Sequence, residues 1–299
     1  MPTLFCFGLG YSASHYIHEF GARFDRIAGT VTTREKAAAI ASAGIGGHTV
    51  EALVFDGSEV RPEVTAALMD ADVLLVSVPP AENGDPALAQ FASTMAGAQL
   101  LQSIAYLSTV GVYGDHAGAW VDEETPPRPI SERSRARLAA EQEWQALGTR
   151  AGKPVAILRL SGIYGPGQNA LLQVAGGVAR RIDKPGQVFN RIHVEDIGQA
   201  IDAALTQRAD AIFNVTDDEP TPPGAPVAFA AELLDVAPPP EVRFAEAAKT
   251  MSPMALSFYA ESKRVRNGKL KRALGVRLRY PTYREGLRAL CASGEGRSA

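Results

Sequence analysis

The feature that most constrains this chain is its start. Thr3-Leu4-Phe5-Cys6-Phe7, five residues suited to a buried strand, runs straight into Gly8-Leu9-Gly10-Tyr11-Ser12-Ala13, and a helix is expected over Ser12–Phe20. Strand, Gly-x-Gly-x-x-Ala and helix in that order are what a dinucleotide-binding βαβ unit requires. Gly8 permits the tight turn, Gly10 lets backbone approach a pyrophosphate, and the small Ala13 lets the helix pack close to the strand. The helix N-terminus then presents unpaired N–H groups and a positive dipole end to the phosphates. A glycine-rich turn also occurs in βα units that bind nothing, so the rest of the chain has to support the reading.

It does so by alternation. Strands are expected at Arg26–Thr32, Val50–Phe55, Asp72–Val78, Ser103–Ser108, Val155–Leu160 and Ala211–Val215, and helices at Arg34–Ser42, Pro86–Gly97, Arg133–Leu147 and Val194–Leu205. Pro79-Pro80 cut the fourth strand off, because proline donates nothing to a ladder. Strands alternating with helices imply βαβ crossovers and an α/β fold, a Rossmann-type doubly wound parallel sheet. After Ser161 the pattern changes: a turn-rich exit at Gly162–Gly167, a helix over Asn169–Ile182, Pro-rich loops at 219–226 and 237–240 around a helix, and a last helix at Tyr283–Cys291. The expected division is a Rossmann domain over 1–165 with 187–218 returning to it. A smaller C-terminal substrate lobe takes 166–186 and 219–292, and 293–299 is a frayed tail.

Cofactor choice is read from the end of the second strand. NAD sites place an acid about 20 residues past the first glycine, where it holds the ribose 2′-hydroxyl. Residues 26–34 contain no carboxylate, while Thr32-Thr33-Arg34 offers two hydroxyls and a guanidinium suited to a 2′-phosphate. NADP(H) is therefore favoured and NAD(H) is the alternative; the plainer reading of Arg34 is that it starts a solvated helix. With 21% charged residues and a net charge of −3, nothing draws the chain toward nucleic acid or an anionic membrane. No apolar run approaches the roughly 20 residues of a membrane span. Cys6 and Cys291 have neither metal nor redox spacing. Strand-like sequence starts at Thr3 without a basic n-region or a long apolar core, so no signal peptide is expected, and with only two cysteines the expected location is cytoplasmic.

Four ordered segments carry a resemblance to a known family. They are Leu107-Ser108-Thr109-Val110-Gly111-Val112-Tyr113-Gly114, Leu158 through Gly167, Arg191-Ile192-His193-Val194-Glu195-Asp196-Ile197, and Phe213-Asn214-Val215-Thr216-Asp217-Asp218. Together with the glycine turn they span residues 3 to 218, and the chain resembles the extended short-chain dehydrogenases/reductases, which include nucleotide-sugar epimerases and dehydratases. The closing Lys269–Gly275 and Tyr280–Leu287 segments look like that family's end. The resemblance implies a small-molecule substrate between the strand ends and the small lobe, and homodimers are common in that family. It puts Thr109 where a hydroxyl orients the reacting oxygen, with Ser108 beside it. Asp56 falls where adenine is contacted, and Ser77, Val78 and Pro79 along the adenine-proximal ribose.

The chain departs from the family at its chemical centre. The Tyr-x-x-x-Lys pair that does acid/base work there is replaced, by spacing to Leu138-Ala139-Ala140-Glu141, with Arg133 and Arg137. Arginine stays protonated in proteins, so Arg133 has no proton to exchange as a tyrosine does. Arg137 retains the positive charge of the lysine and is a candidate to hold the nicotinamide ribose. Residues 133, 137 and 141 also lie at i, i+4 and i+8, the spacing of a surface charge stripe. If chemistry is present, another tyrosine must move the proton, and Tyr113 and Tyr164 are nearest by motif. His193 with Asp196 suggests a relay, against the plainer reading that the pair shapes the cleft and starts a helix. The basic run Lys263–Arg272 reads as a solvated face, and no Gly-x-Ser-x-Gly elbow supports serine hydrolysis. Two functions remain: an atypical NADP(H)-dependent oxidoreductase or epimerase/dehydratase-like enzyme, and a catalytically silent NADP(H)-binding redox sensor or scaffold.

Overall fold

The computed structural model describes residues 2–81 and 83–297. Strands β1 (Thr3–Phe7), β2 (Arg26–Val31), β3 (Glu51–Val54), β4 (Val73–Val76) and β5 (Ser103–Thr109) alternate with helices α1 (Tyr11–Phe20), α2 (Arg34–Ala43), α3 (Pro62–Met69) and α4 (Pro86–Gly97). Then follow β6 (Trp120–Val121), α5 (Glu132–Ala151), β7 (Val155–Leu160), β8 (Gly162–Tyr164), α6 (Ala170–Ala175), β9 (Arg181–Asp183), β10 (Arg191–His193), α7 (Val194–Thr206) and β11 (Ile212–Val215). The chain closes with α8 (Ala225–Leu233), β12 (Glu241–Arg243), α9 (Phe244–Ala247), α10 (Pro253–Tyr259), β13 (Arg264–Val265), α11 (Gly268–Leu274) and α12 (Tyr283–Ala292).

Seven strands form one parallel sheet in the order β11-β7-β5-β4-β1-β2-β3. This is the doubly wound α/β architecture the alternation implies. Its order reverses beside β1, which opens a crevice at the carboxyl ends of the strands. Both faces are covered, and the two-residue period of a strand sorts its side chains between them. Leu4 and Cys6 of β1 join Ala13, Ile17 and Ile201 on the face of α1 and α7. Phe5 and Phe7 join Phe91, Met95 and Trp144 on the face of α4 and α5. Burying one leucine-sized side chain contributes about 1.5–3 kcal/mol, so these two layers dominate the stability of the chain.

Three expectations change. The helix expected over Asn169–Ile182 stops at Ala175, where Gly176-Gly177 ends it, and the chain continues as β9, paired with β12. The segment 268–278, assigned from sequence to the small lobe, lies against the sheet: Leu270, Leu274 and Val276 belong to the core of α1 and α7. The frayed tail is also wrong for its described part. Glu295 accepts from the Gly167 N–H (2.8 Å) and from Asn169 Nδ2, and so ties the chain end to the loop after β8. The small lobe has its own core of Tyr164, Leu171, Ala230, Tyr283 and Leu287.

Candidate functional site

The glycine turn is built from β1, β2 and α1. Gly8 has φ +90°, and a Cβ there would come within 2.9 Å of Val78 Cγ1, so only glycine fits. The fully buried Thr30 at the end of β2 holds the turn: its Oγ1 accepts from the Gly8 N–H (2.9 Å) and its carbonyl from the Leu9 N–H (2.8 Å). Leu9 thus spends its N–H within the turn and its side chain in the core.

Gly10 is the N-cap of α1, with no side-chain cap and no acid in the first turn. A Cβ at Gly10 would meet no atom within 4 Å. The first-turn N–H groups of Tyr11, Ser12 and Ala13 have no acceptor within the helix and lie at the positive end of its dipole, and these residues fit a dinucleotide pyrophosphate. Tyr11 turns its hydroxyl to Pro166 O (2.9 Å), and burial pushes that phenol up to about 12. It serves as a tie between the turn and the loop after β8.

Around the nucleotide path the remaining candidates spread out along the strand ends. Thr32, Thr33 and Arg34 are exposed, and Thr33 Oγ1 caps α2 by accepting from the Lys36 N–H. Asp56 is exposed and accepts from the Ser58 hydroxyl (2.6 Å) and the Ser58 N–H (3.0 Å), which hold its carboxyl below the usual range. Ser77 donates its N–H to Phe7 O (2.8 Å), Val78 lies under Gly8, and Pro79 is exposed.

At the end of β5, Thr109 Oγ1 accepts from the Gly111 N–H (3.1 Å), so the hydroxyl retains its own proton to donate. Ser108 does not share that freedom. Its hydroxyl donates to Glu141 Oε1, and Glu141 is also gripped by Arg159 through Nε and Nη2. All three are buried, and the Arg159–Glu141 pair is 2% and 1% exposed. Ser108 is thereby corrected from a substrate-facing candidate to part of the support under Thr109.

Tyr113 is corrected likewise. It is fully buried, donates to Asn214 Oδ1 (2.8 Å), and carries the Arg159 guanidinium 4.8 Å over its ring, which leaves no path to a substrate. Arg137 is half-buried and donates through Nη1 to Leu107 O (2.8 Å) and Tyr106 Oη (3.2 Å), while Arg133 is exposed. The stripe therefore divides into a solvated Arg133, a docked Arg137 and a core Glu141.

Tyr164 is buried, its hydroxyl 3.5 Å from Thr282 O, and burial together with the Asp217 and Asp196 carboxylates drives its phenol far above the usual range. His193 and Asp196 form no relay. His193 Nδ1 accepts from the Glu195 N–H at the start of α7, and burial lowers the imidazole to about 4. Asp196 accepts from the N–H groups of Arg279 and Tyr280.

Sequence reasoning missed Thr30, Arg159 and Asn214. A polar residue inside a strand that otherwise reads as apolar was the available signal for each. Among the described residues no cluster of metal-ligating side chains occurs, and no helix is long and apolar enough to cross a membrane.

A glycine turn with an uncapped helix N-terminus, set at the switch point of a doubly wound parallel sheet, defines a nucleotide-binding Rossmann architecture. The family model for the NAD dependent epimerase/dehydratase family matches residues 10–216, and the chain belongs to that family. Protein YeeZ of Escherichia coli K12 is 30% identical over 243 residues, covering 78% of this chain and 84% of that protein. A 3-diazoavenalumate denitrifying reductase of Streptomyces is 27% identical over 259 residues, covering 79% of this chain and 82% of the reductase. A solved structure of a conserved protein of unknown function from Silicibacter pomeroyi DSS superposes with TM-score 0.86 at 44% identity, covering 99% of this chain and 100% of that one.

Proposed function

We propose that this protein is an NADP(H)-dependent oxidoreductase of atypical type within its family, acting on a small molecule held between the strand ends and the small lobe. The observation that carries the cofactor preference is Arg34, exposed at the start of α2 beside Thr32 and Thr33, with no carboxylate between Arg26 and Arg34. The first acid beyond, Glu35, is exposed and turns back onto its own backbone and Thr33, which holds its carboxyl low. A bound nicotinamide supplies a hydride donor or acceptor. The chain's own part is to hold the pyrophosphate on the first turn of α1, the 2′-phosphate on Arg34, and the reacting oxygen on the Thr109 hydroxyl. The reductase activity named for the Streptomyces relative supports reductive chemistry on this scaffold.

Titration with NADPH and NADH, followed by nicotinamide fluorescence, tests the reading. NADPH is expected to bind at least tenfold tighter, and Arg34→Ala to abolish the difference. Preference for NADH would overturn the Arg34 argument, and failure of both would overturn the nucleotide reading. A second reading, a catalytically silent NADP(H)-binding sensor or scaffold, is favoured by the two arginines in the acid/base positions and by the buried Tyr113 hydroxyl. NADPH consumption with a panel of carbonyl compounds, lowered about 100-fold by Thr109→Val, assigns the enzyme; tight binding without turnover assigns the sensor.

A further inference from the structure

The basic run Lys263–Arg272 is not one solvated face. Lys263 is buried and donates to Gly114 O (2.9 Å) and Glu261 (2.6 Å), and Lys271 pairs with Asp218 (2.5 Å). Arg266, Lys269 and Arg272 make no ion pair among the described residues, and all three line one cavity of about 380 Å³. Arg266 lies 4.8 Å over the Trp120 ring and Lys269 5.4 Å from the Phe213 ring, so aromatic surface holds two of these cations in place. The volume is within the usual range for small-molecule sites.

Carboxylates line the same cavity. Asp122 and Glu124 line it, and Glu123 is fixed by accepting from the Asn214 N–H (2.8 Å). Asp217, 2% exposed, also lines the cavity, and its Oδ2 has no hydrogen-bond partner among the described residues. Burial pushes Asp217 up to about 8 and raises Glu123, which leaves Asp122 and Glu124 as the carboxylates of this lining not held back by burial of that kind. Opposite charges that served only stability would close into ion pairs. Asp218 of this lining pairs with Lys271, but Arg266, Lys269 and Arg272 share the cavity with Asp122, Glu123, Glu124 and Asp217 without an ion pair among the described residues.

We infer that this cavity is a second ligand site, taking a small amphoteric molecule whose anionic group is held by Arg266, Lys269 and Arg272 and whose amino group is held by Asp122 and Glu124. It is separate from the nucleotide crevice. It flanks β11, the outermost strand, four strands from β1 in the sheet order, or ~19 Å at ~4.8 Å per strand. No residue of the glycine turn, the end of β2 or the Thr109 segment lines it.

Calorimetric titration with O-phosphoethanolamine, which carries one phosphate and one ammonium, tests the site on the full chain, with inorganic phosphate and ethanolamine as single-charge controls. Saturable binding of the two-charge probe is expected, weakened at least tenfold in Lys269→Ala/Arg272→Ala and also weakened in Glu124→Gln. The NADPH titration should be unchanged in both variants, which separates this site from the cofactor reading. No saturable binding, equal binding in the variants, or inorganic phosphate binding as tightly as the two-charge probe would each overturn the assignment.

Discussion

Gly10→Asp is expected to move stability and cofactor affinity in opposite directions. Gly10 has φ −90° and ψ −170°, an extended conformation open to any residue, and its Cβ direction is clear of atoms to 4 Å. An aspartate at this N-cap accepts from the N–H groups of α1 and favours the helix dipole, worth about 0.5 kcal/mol over glycine. That corresponds to a rise of ~1–2 °C in Tm. The same carboxylate occupies the place where a pyrophosphate would bind. Like charges ~4 Å apart at an effective dielectric constant of ~20 repel by about 4 kcal/mol, or roughly a thousandfold in Kd. Thermal unfolding read beside NADPH fluorescence titration gives both quantities from one preparation. Unchanged NADPH affinity in Gly10→Asp would refute the placement of the phosphates on α1. A large fall in Tm would refute the open geometry at Gly10.

Three further outcomes follow from the same geometry. Arg159→Met strands the Glu141 carboxylate in the core and should cost ~3–5 kcal/mol in urea unfolding, while Arg159→Met/Glu141→Leu should recover most of it; a single-variant loss under ~1 kcal/mol would show that the pair is not buried as described. Asp217, raised by burial from 3.8 to about 8, stays protonated in the folded chain where the unfolded chain has lost the proton. Its contribution to stability is therefore complete below about pH 4 and is lost at up to ~1.4 kcal/mol per pH unit as pH rises toward 8. Asp217→Asn should flatten that slope, and an unchanged slope would sink the assignment. Arg34→Ala should weaken NADPH at least tenfold while leaving NADH within about twofold, and equal losses for both would indicate damage to the turn instead.

What the sequence determined by itself is local and periodic. The strand–glycine–helix start, the alternation of strands and helices, and the parallel sheet they imply all follow from short-range sterics and from burial on both strand faces, which leave their mark residue by residue. The resemblance puts Arg133 and Arg137 where that family has tyrosine and lysine, an expectation that rests on residue identity along one helix and so needs no tertiary structure. The tertiary structure decided which polar groups are spent. Ser108 and Tyr113 carry the right hydroxyls in the right segment, yet Glu141 on α5 and Asn214 on β11 engage them from 33 and 101 residues away. Lys263, Lys271 and Arg272 look alike in sequence, but one is buried on a carbonyl, one is ion-paired and one lines a cavity. Hydrogen-bond partners and burial are set by chain segments remote in sequence, so whether a reactive side chain is available for chemistry is fixed only when those segments meet.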